Sequence, residues 1–192
     1  MSEFAAIPTT YAGVNFRSRL EARWAAMYDL LSWEWEYEPV DLNGYIPDFI
    51  LSFKRPLLIE VKPVIWSIGR DGLDRLDHQR EQIADTIDKI RKSTWTDEAV
   101  VVGATLHHHD EGDHEHTGPA ASIGLFVDGC DASIKVCKLG FGLNDSLLGY
   151  DCRRCGCYDG NLESVSAARV QGLWREAGNR VQWRGKHVRV SP

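Results

Sequence analysis

The chain has no apolar run approaching the roughly 20 residues that span a bilayer as a helix, so no membrane partner is expected. Its N-terminus lacks the basic, apolar and small-residue progression of a secretory signal, and a cytoplasmic setting is expected. Cysteine is sparse and odd in number, at five. Without an export signal, that count argues for free thiols or metal ligands and against a disulfide framework. Positive charge is short as well: 22 Lys and Arg against 28 Asp and Glu give a net charge of −6. This disfavours a protein that coats nucleic acid with its whole surface. It leaves open an acidic cleft that needs divalent cations and borders a local basic patch.

What is present suits a globular protein. At 192 residues, with seven Trp, the chain can bury a real core. The stretch Tyr45–Pro63, YIPDFILSFKRPLLIEVKP, organises it. Apolar runs at Tyr45–Phe53 and Leu57–Val61 flank the turn Lys54-Arg55-Pro56, which predicts a β-hairpin. Strand side chains alternate faces, so Glu60 and Lys62 point the same way. A turn centred on Lys54 or Arg55 sets Asp48 opposite Glu60 or Lys62. Two carboxylates and an ammonium then meet in apolar surroundings, which costs several kcal/mol unless they pair or hold a metal.

Pro47-Asp48 followed by Glu60-Val61-Lys62 resembles the PD-(D/E)XK nuclease superfamily, whose pattern is a Pro-Asp, a variable gap and an acid-x-Lys. The segments FRSRLEARWA, EYEP, PDF and IEVKP are similar to those of small phage-type and actinobacterial members, and WREAGNRVQWR resembles the end of the same proteins. The resemblance covers the first third of the chain in detail. It implies an α/β (α+β), restriction-endonuclease-like fold, a mixed central sheet flanked by helices. It implies a core at 1–128 and a Cys-containing, basic extension at 129–192 packed on it. It also implies metal-dependent hydrolysis of DNA, with Mg²⁺ or Mn²⁺ held by Asp48, Glu60, the Val61 main-chain carbonyl and Glu21, and with Lys62 beside the attacking water. Glu21 has a second reading, because Ser18-x-x-Glu21 is also a capping box.

Elsewhere, Phe16, Leu20, Trp24, Met27 and Leu31 recur at helical spacing, after an extended lead-in at 1–13. Trp33–Pro39 alternates as a strand whose wet face carries Glu34, Glu36 and Glu38. Leu73, Leu76, Ile83, Ile87 and Ile90 predict an amphipathic helix, with Gln79 and Gln82 on it, before the continuous apolar strand Ala99–Leu106. That order makes a β-α-β crossover. His107–Gly118 reads as a solvent loop rich in His and acids. Ser122–Val127 and Ser133–Leu139 predict a further strand pair.

Cys152-Arg153-Arg154-Cys155-Gly156 has the tight turn by which two thiolates grip a tetrahedral zinc. Cys137, Cys152, Cys155 and Cys157 can make four sulfurs; Cys130 or a His can replace one, and scattered reduced cysteines are the plain alternative. The tail predicts a helix with Val165, Ala168, Leu173, Trp174 and Ala177 on its apolar face and Gly178-Asn179 as its stop, then a cation-studded edge strand. Arg17, Arg19, Arg180, Arg184 and Lys186 are the candidates for phosphate contact. RNA and a homodimer stay open as partners. A non-catalytic nucleic-acid-binding or assembly module, a transposon-end endonuclease and a junction resolvase are the competing readings.

Overall fold

Thr9–Tyr11 (β1) and Val14–Phe16 (β2) pair antiparallel around a turn at Ala12-Gly13, both with positive φ. The sequence read this segment as an extended lead-in, because three-residue strands carry too little alternation to register. The computed structural model describes residues 6–66, 72–109, 120–128, 131–145, 151–158 and 160–182, with the side chains of 72–80, 82, 107–109, 120 and 131 left out. Phe16 leads into α1 (Arg19–Leu30), where Trp24, Ala25, Ala26, Met27 and Tyr28 are buried as the helical spacing of apolar residues requires.

The remaining strands form one mixed, mostly antiparallel sheet. They are β3 (Trp35–Tyr37), β4 (Phe49–Leu51), β5 (Leu57–Val61), β6 (Ala99–His109), β7 (Ala120–Phe126), β8 (Asp131–Cys137), β9 (Gly140–Asp145) and β10 (Glu163–Ser164). Their order is β10-β8-β7-β6-β5-β4-β3, with β9 along the other edge of β8. Among the described residues the one parallel pair is β5 with β6, joined by α2 (Gly72–Lys92), which is the crossover that the alternation of patterns predicts. β6 reaches His109, so His107–His109 pair with Ser122, Ala121 and Ala120 and do not begin a loop; residues 110–118 of the His-rich run lie outside the described residues.

Alternation along β5 divides the core. Leu57, Ile59 and Val61 join Trp24, Met27, Tyr28, Phe49 and Trp174 on one face; Leu58 joins Ile83, Ile87, Ile90 and Val101 on the face under α2. The final helix, α3 (Ala167–Arg180), lies on α1, with Trp174 and Trp24 ring centroids 4.5 Å apart. Its buried face is Val170, Trp174 and Ala177. Ala168 is exposed, and the helix runs through Gly178 and Asn179 to Arg180 rather than stopping there, because Ala177 and Val181 are still burying apolar surface. The expected edge strand after it falls outside the described residues.

Candidate active site

The hairpin register fixes the acids. Phe49 pairs with Ile59, Ile50 with Leu58 and Leu51 with Leu57. One further step sets Asp48 level with Glu60, the pairing that a turn centred on Lys54 produces. Glu60 and Lys62 share the parity of Leu58 and so face the α2 side. The strand itself is shorter than the apolar run suggested: Asp41–Tyr45 is a loop closed by the Leu42 N–H to the Tyr45 carbonyl (2.7 Å) and the Gly44 N–H to Asp41 Oδ1 (2.6 Å). That loop brings Tyr45 back over the site.

Asp48 and Glu60 are buried at the floor of a cleft of about 650 Å³ that is also lined by Arg17, Glu21, Tyr45, Val61 and Lys62. Lys62 Nζ donates to Glu60 Oε1 at 2.6 Å, and the Tyr45 hydroxyl donates to Glu60 Oε2 at 2.8 Å. The Val61 N–H donates to Asp48 Oδ2 at 2.7 Å, and Arg17 Nη2 donates to Asp48 Oδ1 at 2.6 Å. Arg17 also reaches Glu38 Oε1 at 2.9 Å. Asp48 and Glu60 thus each accept one hydrogen bond from a cationic side chain, and each of their oxygens has a second lone pair beyond the bond it accepts.

Glu21 forms the helix cap that the sequence offers, and it also borders the cleft. Ser18 caps α1, accepting the Glu21 N–H at 3.1 Å, while the Ser18 hydroxyl donates back to Glu21 Oε1 at 2.8 Å. Glu21 Oε2 accepts the Tyr37 hydroxyl at 2.5 Å and the Arg17 N–H at 3.2 Å. The carboxylate is therefore part of a cap, yet it is buried and lines the same cleft as Asp48. Three of its acceptor directions are already engaged, against two each for Asp48 and Glu60, which makes it a weaker metal donor than either.

Burial, and then the charge of Glu60, push the Asp48 carboxyl up to about 7. The Val61 N–H and Lys62 act the other way. Arg17 does not reverse the balance: its side chain is 60% exposed and it divides its charge between Asp48, Glu38 and water. Burial also raises the Tyr45 hydroxyl, with the Glu60 charge next, so Tyr45 stays a donor. An acid held this far from its usual range beside a second acid is a place where a proton or a hard cation is favoured.

A second cluster lies beyond the far end of the hairpin. The sulfurs of Cys137, Cys152, Cys155 and Cys157 all lie within 4.8 Å of one another and could hold a metal ion such as zinc. Cys137 ends β8; the other three come from a turn tied by the Cys152 N–H to the Cys157 carbonyl (2.8 Å) and the Gly156 N–H to the Cys152 carbonyl (2.7 Å). A Cβ on Gly142 would sit 2.3 Å from Cys152 Sγ and 3.4 Å from Cys137 Sγ, so this glycine clears the space between strand and turn. Burial raises the thiols of Cys152 and Cys157 to about 11, whereas hydrogen bonds from its neighbours outweigh burial at Cys155 and bring it down to about 7. Cys130 lies outside the described residues.

No protein-family model matches the chain, and neither a curated protein nor a solved structure is significantly similar to it. The chemistry of the two clusters follows from their own geometry.

Of the expected phosphate contacts among the described residues, only Arg17 lines the cleft. Arg19 is exposed but outside the lining. Arg180 is bonded to Glu176 at 3.2 Å and to Tyr11, whose hydroxyl donates to Asp29 near the end of α1, so it sits away from the helix start that borders the cleft. Arg184 and Lys186 lie outside the described residues, as do the side chains of Gln79 and Gln82. The sequence reading missed Tyr45, Tyr37, Lys89 and Lys92. The two lysines had a legible signal: they fall on one flank of the Ile83-Ile87-Ile90 stripe, three residues apart.

Proposed function

We propose that the chain is a divalent-metal-dependent nuclease that hydrolyses phosphodiester bonds in DNA, on a restriction-endonuclease-like arrangement of strands and helices. The observation that carries this reading is the joint burial of Asp48 and Glu60, level with each other across the hairpin, in an open cleft, with Lys62 bonded to Glu60. The β-α-β step between the acid-bearing strand and β6 supports the fold assignment.

The donor set fits a hard cation: two carboxylates and a carbonyl are oxygen ligands, and Arg17 and Lys62 already supply positive charge against the same oxygens. Asp48 and Glu60, with the Val61 carbonyl, would hold Mg²⁺ or Mn²⁺, whose charge makes bound water nucleophilic and offsets the charge of the phosphate. Tyr45 fixes the orientation of Glu60 through its second oxygen. Lys62 presents its ammonium at the cleft, where it orients the attacking water and offsets charge as the bond to phosphorus forms. Glu21 holds the start of α1 and Tyr37 in place and contributes negative charge to the back of the site.

The test is a Mg²⁺ and Mn²⁺ titration against single-stranded, duplex, nicked and branched DNA, with RNA in the same panel. Asp48→Asn, Glu60→Ala and Lys62→Ala are each expected to lower turnover by at least about 100-fold without unfolding the protein, and Glu21→Gln to lower it less. Full activity in Asp48→Asn or Lys62→Ala withdraws the proposal.

We infer in addition that the four-cysteine cluster holds a structural zinc. Thiolates select zinc over magnesium, and four of them close its coordination and leave no position for substrate.

A further inference from the structure

The cleft has a second wall that the catalytic reading leaves unused. Lys89 and Lys92, from the last turn of α2, and Ser93 just after it line the same cleft as Arg17. Both lysines are exposed, and among the described residues neither forms an ion pair. The other two cations of the cleft are committed: Arg17 to Asp48 and Glu38, Lys62 to Glu60.

We propose that Lys89 and Lys92 grip the DNA backbone, taking phosphates next to the scissile one and holding the strand across the acids. This rests on the nuclease reading and names where the substrate is held. A chain of net charge −6 repels a polyanion overall, and the buried acids repel it locally, so the affinity has to come from cations close to the cleft. Residues three apart on a helix are neighbours, so two flexible lysine stems reach outward side by side. Lysines in a last helical turn also offset the helix dipole. Arg91 in the same turn does that equally well, but it faces the other flank, lines a separate groove and donates to the Val127 carbonyl at 3.2 Å. Arg91 is therefore the internal control.

The experiment measures binding of a labelled DNA duplex by fluorescence anisotropy across salt concentrations, with no Mg²⁺ or Mn²⁺ added, and then the kinetics of cleavage with Mn²⁺. The double variant Lys89→Gln/Lys92→Gln is expected to bind about 10-fold more weakly near physiological salt. Its slope of log K against log salt should be shallower by about 2, one counterion-releasing contact for each lysine. Its KM for DNA should rise by more than kcat falls. Arg91→Gln should follow the wild type. A double variant with unchanged affinity and slope, in a background that still cleaves DNA, overturns this inference and leaves the nuclease reading standing. Equal weakening by Arg91→Gln overturns it too, because that result marks a general charge effect. A wild type that neither binds nor cleaves DNA overturns both.

Discussion

Asp48 shows most directly how burial is set against charge. Its carboxyl is pushed up to about 7 by desolvation and by Glu60, from 3.8 for the free group. Between those two values the folded protein holds a proton that the unfolded chain has released. Stability of the metal-free protein therefore falls as pH rises from about 4 to about 7, and levels off above. Urea unfolding of the metal-free wild type should lose on the order of 2 kcal/mol between pH 5 and pH 8. Asp48→Asn should flatten that profile, since an amide has no proton to lose. At pH 8, added Mg²⁺ should restore stability to the wild type and not to the variant, because the ion replaces the missing proton. A wild-type profile that climbs with pH, or one unchanged in Asp48→Asn, would show that the carboxylate is comfortable as an ion and that Arg17 governs it after all.

Among the elements, the Cys turn and the hairpin are mechanically joined. The Lys54 N–H donates to the Arg154 carbonyl at 3.3 Å, and Arg154 Nη1 donates to the Phe141 carbonyl at 2.8 Å, which also accepts Trp33 Nε1 at 2.8 Å. The turn thus braces the closed end of the hairpin whose open end carries Asp48 and Glu60. A closed zinc site would stiffen that brace and contribute folding free energy outright. The purified protein should contain one zinc per chain, and Co²⁺ in its place should give the absorption of tetrahedral thiolate. Gly142→Ala should lose the metal and lower the melting temperature, because the added carbon occupies the space of the Cys152 sulfur. Gly172→Ala, in α3 with open space around it, should do neither. Cys130→Ser distinguishes the ligand sets: retained metal assigns the fourth sulfur to Cys137, and lost metal to Cys130.

At the scale of the whole molecule, local periodicity gave the elements and could not give their long-range partners. The α1 stripe, the hairpin that sets Asp48 against Glu60 or Lys62, and the crossover into β6 were legible because each depends on spacing within a few residues; the structure decides the register for Glu60. That β9 lines the free edge of β8 while β10 takes up the edge beyond β7 was not legible, since such pairing joins residues far apart by hydrogen bonds that any side chain allows. Nor was the attachment of α3, which the sequence offered as part of a basic extension beginning at residue 129. In the structure Arg23 of α1 lies over the Trp174 ring at 3.8 Å and donates to the Trp174 carbonyl at 3.1 and 2.8 Å, and the Trp24 ring packs against the same indole. If α3 closes the core over α1, its loss is felt by the helix that positions Arg17 and Glu21. Trp174→Ala should then cost about 3–5 kcal/mol, the range for emptying a buried aromatic site. Unfolding followed separately by fluorescence and by far-ultraviolet circular dichroism should remain one coincident transition. Two transitions, with Trp174→Ala moving only one of them, would mean that the segment after residue 129 folds on its own and merely rests against the core that precedes it.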